Sequence, residues 1–214
     1  MLENNLENLK KRLLLPLPGK EAQFKMAPSY RPSLEENEPH LIAGVTILLY
    51  PKENELYFPL IVRPEYNGAH SGQISFPGGK KDEGDRNVII TALRECEEEI
   101  GVDASKMIVL GSLTNLIIPV SRFDVYPLIA WYSAIPTFKP QENEVVSIIE
   151  VPLNLILDDK NSGEKTVEYK GREETVPFFD IYNHFVWGAT AMILSEFIQI
   201  WRESTSSYSD TRFL

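Results

Sequence analysis

Residues 73–101 constrain the fold most: a short extended piece from Gln73 to Phe76, a turn at Pro77-Gly78-Gly79, then helical periodicity from about Asn87 to Ile100. Ile89, Leu93, Cys96 and Ile100 recur four, three and four residues apart, predicting one apolar stripe, and Gly101 is placed to end the helix. Its last turns carry Glu95, Glu97, Glu98 and Glu99, with Arg94 nearby as the balancing cation. Carboxylates there oppose the helix macrodipole, and Glu95 with Glu99 is a like-charge i,i+4 pair. Such a placement calls for a compensating partner.

Glu95, Glu98 and Glu99 stand three and four residues apart, so their oxygens are expected to converge on one side, roughly opposite the Leu93, Cys96 and Ile100 stripe. Hard oxygen donors of this kind suit Mg²⁺ or Mn²⁺. These cations accept phosphate oxygens, and a pair of them can activate water and neutralise a leaving group. An acidic helix face is by default merely solvated. The preceding Phe76-Pro77-Gly78-Gly79 turn favours the metal reading, because glycines let backbone amides approach a metal site or a phosphate.

These residues resemble the Nudix box: a glycine, five residues, a glutamate, seven residues, then Arg-Glu-apolar-x-Glu-Glu-x-Gly-apolar. Arg94, Glu95, Cys96, Glu98, Glu99, Gly101 and Val102 fill its second half. Gly79 fits the opening glycine, whereas Asp85 stands in place of the glutamate and eight residues rather than seven separate it from Arg94. The resemblance covers about residues 40–155 and implies an α/β chain with the Nudix fold, an α/β/α sandwich around a central mixed β-sheet. It also implies an Mg²⁺- or Mn²⁺-dependent hydrolase of diphosphate linkages. Glu95, Glu98 and Glu99 would bind metal, Arg94 would hold a glutamate in position, and Gly78 and Gly79 would lie against metal or substrate. The general base would be Glu95, Glu98 or a carboxylate on a later loop, for which Glu144 is the candidate. An exposed acid within Gln141-Glu142-Asn143-Glu144 is the alternative reading of that residue.

Upstream, Leu60, Arg63, Gly72 and Phe76 to Gly79 resemble the pattern of the coenzyme A pyrophosphatase branch. Ile61, Pro64 and Gly68 depart from it, Gly68 replacing an arginine. The implied substrate is coenzyme A or an acyl derivative, cleaved to adenosine 3′,5′-bisphosphate and phosphopantetheine. ADP-ribose, a nucleoside triphosphate, or a non-catalytic nucleotide sensor are the alternatives. Arg63 can offer a phosphate bidentate contacts, and His70 another donor. Trp187 to Met192 resemble the branch's terminal helix, whose residues are expected to pack the sheet rather than stack on adenine.

Elsewhere, residues 1–39 read as a short helix (about 2–13) and an irregular arm, 40–203 as the catalytic domain, and 204–214 as a polar tail. Strands are expected at 45–50 and 56–62 as a hairpin, then at 107–118, 125–134 and 145–151. A further hairpin is expected between 165–169 and 175–179, and a final helix at about 187–201. With 43% hydrophobic residues, 214 residues suit one core better than two. The net charge of −10 argues against general affinity for nucleic acid or anionic membrane. The N-terminal apolar run, broken by Pro16 and Pro18, reads as neither signal peptide nor membrane span. One cysteine, Cys96 on the apolar stripe, points to core packing and a reducing, cytoplasmic setting. The arm leaves room for a homodimer.

Overall fold

The computed structural model describes residues 2–30, 40–64, 72–169 and 172–206. Two helices open the chain, α1 (Leu2–Leu13) and α2 (Gly19–Gln23). Strands β1 (Leu41–Lys52) and β2 (Glu55–Val62) form a hairpin that reverses at Glu53-Asn54, whose φ angles of 52° and 63° match the right-handed twist of the flanking strands. Then follow β3 (Ile74–Ser75), β4 (Gly78–Lys80), α3 (Val88–Ile100), β5 (Ile108–Ser112), β6 (Leu116–Ile118), β7 (Phe123–Trp131), β8 (Ser147–Pro152) and α4 (Leu153–Leu157). A three-stranded antiparallel sheet of β9 (Ser162–Tyr169), β10 (Arg172–Ile181) and β11 (His184–Trp187) leads into α5 (Gly188–Ser206).

The central sheet is mixed. β1 runs parallel to β7 from Leu41–Phe123 to Leu49–Trp131, and antiparallel to both β2 and β4. Side chains alternate across a strand, and both faces are covered. Ile47 and Leu49 enter the larger core with Leu6, Leu9 and Phe197, whereas Leu48 between them packs with Cys96, Ile100 and Val102. Ile129 and Ala130 on β7 divide in the same way. This is the α/β/α sandwich, with α3 on one face and α1 and α5 on the other.

Several elements differ from their sequence reading. The 107–118 stretch is two strands, because Thr114 turns away from the ladder: its N–H donates to Glu196 (3.3 Å) and its carbonyl accepts from Gln23 Nε2 (2.9 Å). The arm is partly ordered into helix, over Gly19–Gln23 and Phe24–Met26. Glu196, fully buried, also accepts from Gly19 N (3.1 Å) and Gln23 Nε2 (2.8 Å), fastening α2 to α5 of the same chain. α5 extends through Ser206, so Ser204, assigned to the polar tail, is helical and buried. Ile89 is 36% exposed, because the packed face of α3 is carried by Ala92, Cys96, Glu99 and Ile100. Trp187 closes β11 instead of opening the last helix. No helix among the described residues is long and apolar enough to cross a membrane.

Candidate active site

Helix α3 is fixed at both ends. Asn87 caps its N-terminus by accepting from Ile90 N (3.0 Å), and Gly101, with φ 71°, closes its C-terminus. Thr46 Oγ1 donates to the Ala92 carbonyl (2.8 Å), tying α3 to β1. Gly44 permits the close approach, since a Cβ there would meet the Val88 carbonyl at 2.7 Å. These contacts seat the glutamate-bearing turns over the Pro77-Gly78-Gly79 segment.

Glu99 points into that segment. Only 1% exposed, it accepts from the Gly78 amide at 2.7 Å through Oε2, while Oε1 is buried without a hydrogen-bond partner. The Arg63 guanidinium stands 3.4 Å from that oxygen. Burial pushes the Glu99 carboxyl up to about 7, opposed by Gly78 and Arg63 and reinforced by the charges of Glu95 and Glu144. Gly78 must remain glycine: its φ is 155°, and a Cβ would collide with the Gly44 carbonyl. A side chain at Gly79 would occupy the space of the Glu95 carboxylate. Glu95 is likewise raised by burial, with Arg94 pulling the other way.

Arg94 is the hub of the acidic face. It reaches Asp85 through Nε (3.2 Å) and Nη2 (3.0 Å), Glu95 at 2.9 Å, Glu98 at 2.7 Å and the Lys80 carbonyl at 3.3 Å. Asp85 is buried, accepts also from Thr91 Oγ1 (2.9 Å), and is held well below the usual carboxylate range, chiefly by Arg94. Sequence spacing left Asp85 without a role. Its signal was present nonetheless, as the acid six positions after Gly79.

The three glutamates reach the site unequally. Residues advance about 100° per helical step, so Glu95 lies about 40° from Glu99 and about 60° from Glu98, while Glu98 and Glu99 stand about 100° apart. Glu95 and Glu98 meet on the same Arg94 Nη1, at 2.9 and 2.7 Å, with the Glu98 side chain 56% exposed, whereas Glu99 is turned to Gly78. The acidic set does not lie opposite the apolar stripe, because Glu99 is buried on the packed side. Among the described residues, no three acidic, histidine or cysteine side chains sit together as a ready metal cluster.

Glu144 is exposed, in a turn anchored by Gln141 N to the Glu99 carbonyl (3.0 Å), and its charge raises both Glu95 and Glu99. Arg63 is brought to the site, whereas His70 lies outside the described residues. The Glu99 oxygen that accepts no hydrogen bond, the Glu95 carboxylate against Gly79 and the all-oxygen donor set fit a hard divalent cation.

The chain is similar to known proteins of one family. The NUDIX domain family matches residues 40–169. The uncharacterized Nudix hydrolase NudL of Pectobacterium atrosepticum is 33% identical over 174 residues, covering 81% of this chain and 88% of its own. Its counterpart from Yersinia pestis is 34% identical over 151 residues, covering 66% and 75%. The crystal structure of the Nudix hydrolase RenU from M. smegmatis superposes with a TM-score of 0.51 at 16% identity, over 80% of this chain and 92% of that one, a likeness of fold. A family match across more than half of the residues, together with relatives one-third identical over most of both chains, shows that the chain belongs to the Nudix hydrolase family.

Proposed function

We propose that this Nudix enzyme hydrolyses the diphosphate linkage of a nucleoside diphosphate derivative, coenzyme A or an acyl-coenzyme A first. The products are then adenosine 3′,5′-bisphosphate and phosphopantetheine or its acyl form. The observation that carries the reading is the pair Glu95 and Glu99, both raised by burial, set against the Gly78-Gly79 backbone, with one Glu99 oxygen free of hydrogen bonds and met only by the Arg63 charge. Glu95 and Glu99 would hold Mg²⁺ or Mn²⁺, with Glu98, beside Glu95 on Arg94, as the third carboxylate. A bound divalent cation supplies charge neutralisation for the diphosphate and acidifies water.

The chain's own groups do the rest. The Gly78 N–H fixes the Glu99 carboxylate, and Asp85 holds Arg94, which positions Glu95. Arg63, at the end of β2, binds a phosphate oxygen of the substrate. Glu144, exposed and near enough for its charge to raise both carboxyls, takes the proton of the attacking water. The match of Leu60, Arg63, Gly72 and Phe76 to Gly79 supports coenzyme A.

Gly68 supports a second substrate. It removes an arginine that a third phosphate group would use, which favours ADP-ribose, a diphosphate without a 3′-phosphate. Turnover of coenzyme A, acetyl-coenzyme A, ADP-ribose and nucleoside triphosphates with Mg²⁺ or Mn²⁺, read by mass analysis of products, tests both. Turnover of ADP-ribose without coenzyme A moves the assignment. Nucleotide binding without turnover of any of them makes the chain a nucleotide sensor.

A further inference from the structure

A cavity of about 390 Å³ lies between β3 and β11, lined by Gly72, Gln73, Ile74, Phe185 and Trp187. Its volume is within the range of small-molecule sites and far above that of a water. Two of its walls are aromatic for no reason of core packing. On β11 Val186 faces the core and is fully buried, so Phe185 and Trp187, one residue to either side, point away from that core and stay half-buried. Their ring centroids are 6.1 Å apart, and Phe178 backs Phe185 at 4.7 Å. The opposite wall is held as well, since the Ile74 carbonyl accepts from Thr190 Oγ1 (2.9 Å) on α5.

The cavity adjoins the carboxylate site through a single pair of facing residues. The Gln73 carbonyl accepts from Arg63 N (3.0 Å), across strands about 4.8 Å apart, and the Arg63 guanidinium stands 3.4 Å from Glu99. A ligand whose phosphate engages Arg63 therefore has an aromatic-walled recess one strand away.

We infer that this recess is the nucleobase subsite, taking a purine ring stacked against Trp187 and Phe185 while the attached phosphates lie toward Arg63. The inference rests on the reading of Glu95 and Glu99 as a diphosphate-hydrolysing site. Aromatic faces hold bases by stacking, largely without regard to sequence, and Gln73 adds an amide beside the rings. Trp187 thus acts in substrate choice rather than in packing the sheet.

Calorimetric titration of ADP and of inorganic pyrophosphate in Mg²⁺ tests this on the intact chain, Trp187→Ala and Trp187→Phe. Both ligands carry the diphosphate, and only ADP carries the base. ADP affinity falls about tenfold in Trp187→Ala and returns in Trp187→Phe, while pyrophosphate affinity changes by about twofold or less. No ADP binding by the parent, an equal ADP affinity in Trp187→Ala, or a parallel loss for pyrophosphate overturns the subsite. Turnover of the substrate panel is read alongside. Trp187-dependent ADP binding without any turnover keeps the subsite and removes the hydrolase reading. Turnover with Trp187-independent ADP binding does the reverse.

Discussion

Replacing Glu99 by glutamine should stabilise the metal-free protein at pH 8 while abolishing hydrolysis. Burial lifts this carboxyl from 4.5 to about 7. A folded-state value above the unfolded one means the contribution to stability is whole below pH 4.5 and lost as pH rises through about 7. At pH 8 the ionised group therefore costs up to about 3 kcal/mol relative to its neutral form. Glutamine is neutral and its oxygen still accepts from Gly78. It brings an amide N–H without a partner, which takes back about 1–2 kcal/mol. The net gain is about 1–2 kcal/mol, or a melting temperature higher by about 2–8 °C for a chain of this length.

Thermal unfolding in EDTA at pH 5 and pH 8 measures this, followed by the same melts in Mg²⁺. The variant's advantage should shrink at pH 5, where the parent carboxyl is protonated. Mg²⁺ should raise the parent by mass action and leave the variant nearly unchanged. The reasoning fails if Glu99→Gln melts lower than the parent at pH 8 in EDTA, or if Mg²⁺ stabilises both equally.

Other substitutions separate the parts of the site. Asp85→Asn removes the charge that Arg94 grips and should cost about 2 kcal/mol in urea unfolding, with kcat lower by about tenfold or more. Gly79→Ala puts a methyl where the Glu95 carboxylate lies, so Mg²⁺ affinity should weaken about tenfold or more while circular dichroism stays that of the parent. Leu9→Ala opens a cavity beneath the fully buried face of α1 and should cost about 2–4 kcal/mol, with KM unaffected. An arm merely draped on the surface would show no such loss.

What the sequence disclosed, and what it hid, follows from the range of each interaction. The site helix was legible because its information is local: periodicity, the Asn87 and Gly101 ends, and carboxylates set against their own dipole. The parting of Glu99 from the other two was not, since Glu99 turns to the Gly78 amide of a distant segment while Glu95 and Glu98 share Arg94. β11 escaped because it is four residues long and runs directly into α5, so the turn before it, Tyr182-Asn183 with φ angles of 54° and 65°, went unread. Without that turn Trp187 falls naturally into the following helix, and the aromatic recess disappears with it. The Glu196 network was out of reach altogether, because Gly19, Gln23, Thr114 and Glu196 are brought together from three distant segments.

Asp85 and Arg94 illustrate how a departure from a pattern can preserve its mechanics. One residue more separates them than the Nudix box allows, and the acid is one methylene shorter than the glutamate it replaces. Arg94 begins its side chain about 9 Å along the axis from the start of α3, too far for a short residue to span. Helical side chains lean toward the N-terminus, however, and a guanidinium on its long stem covers the gap to meet both Asp85 oxygens. Thr91, between them on the helix, adds a hydroxyl to the same carboxylate and fixes its rotamer. The clamp thus tolerates an altered loop provided that one end remains arginine. Arg94→Lys, a point charge without the fork, should lose Glu95 alignment nearly as fully as Arg94→Ala, seen as an equal fall in kcat, whereas a residue holding only by charge would recover most of the rate.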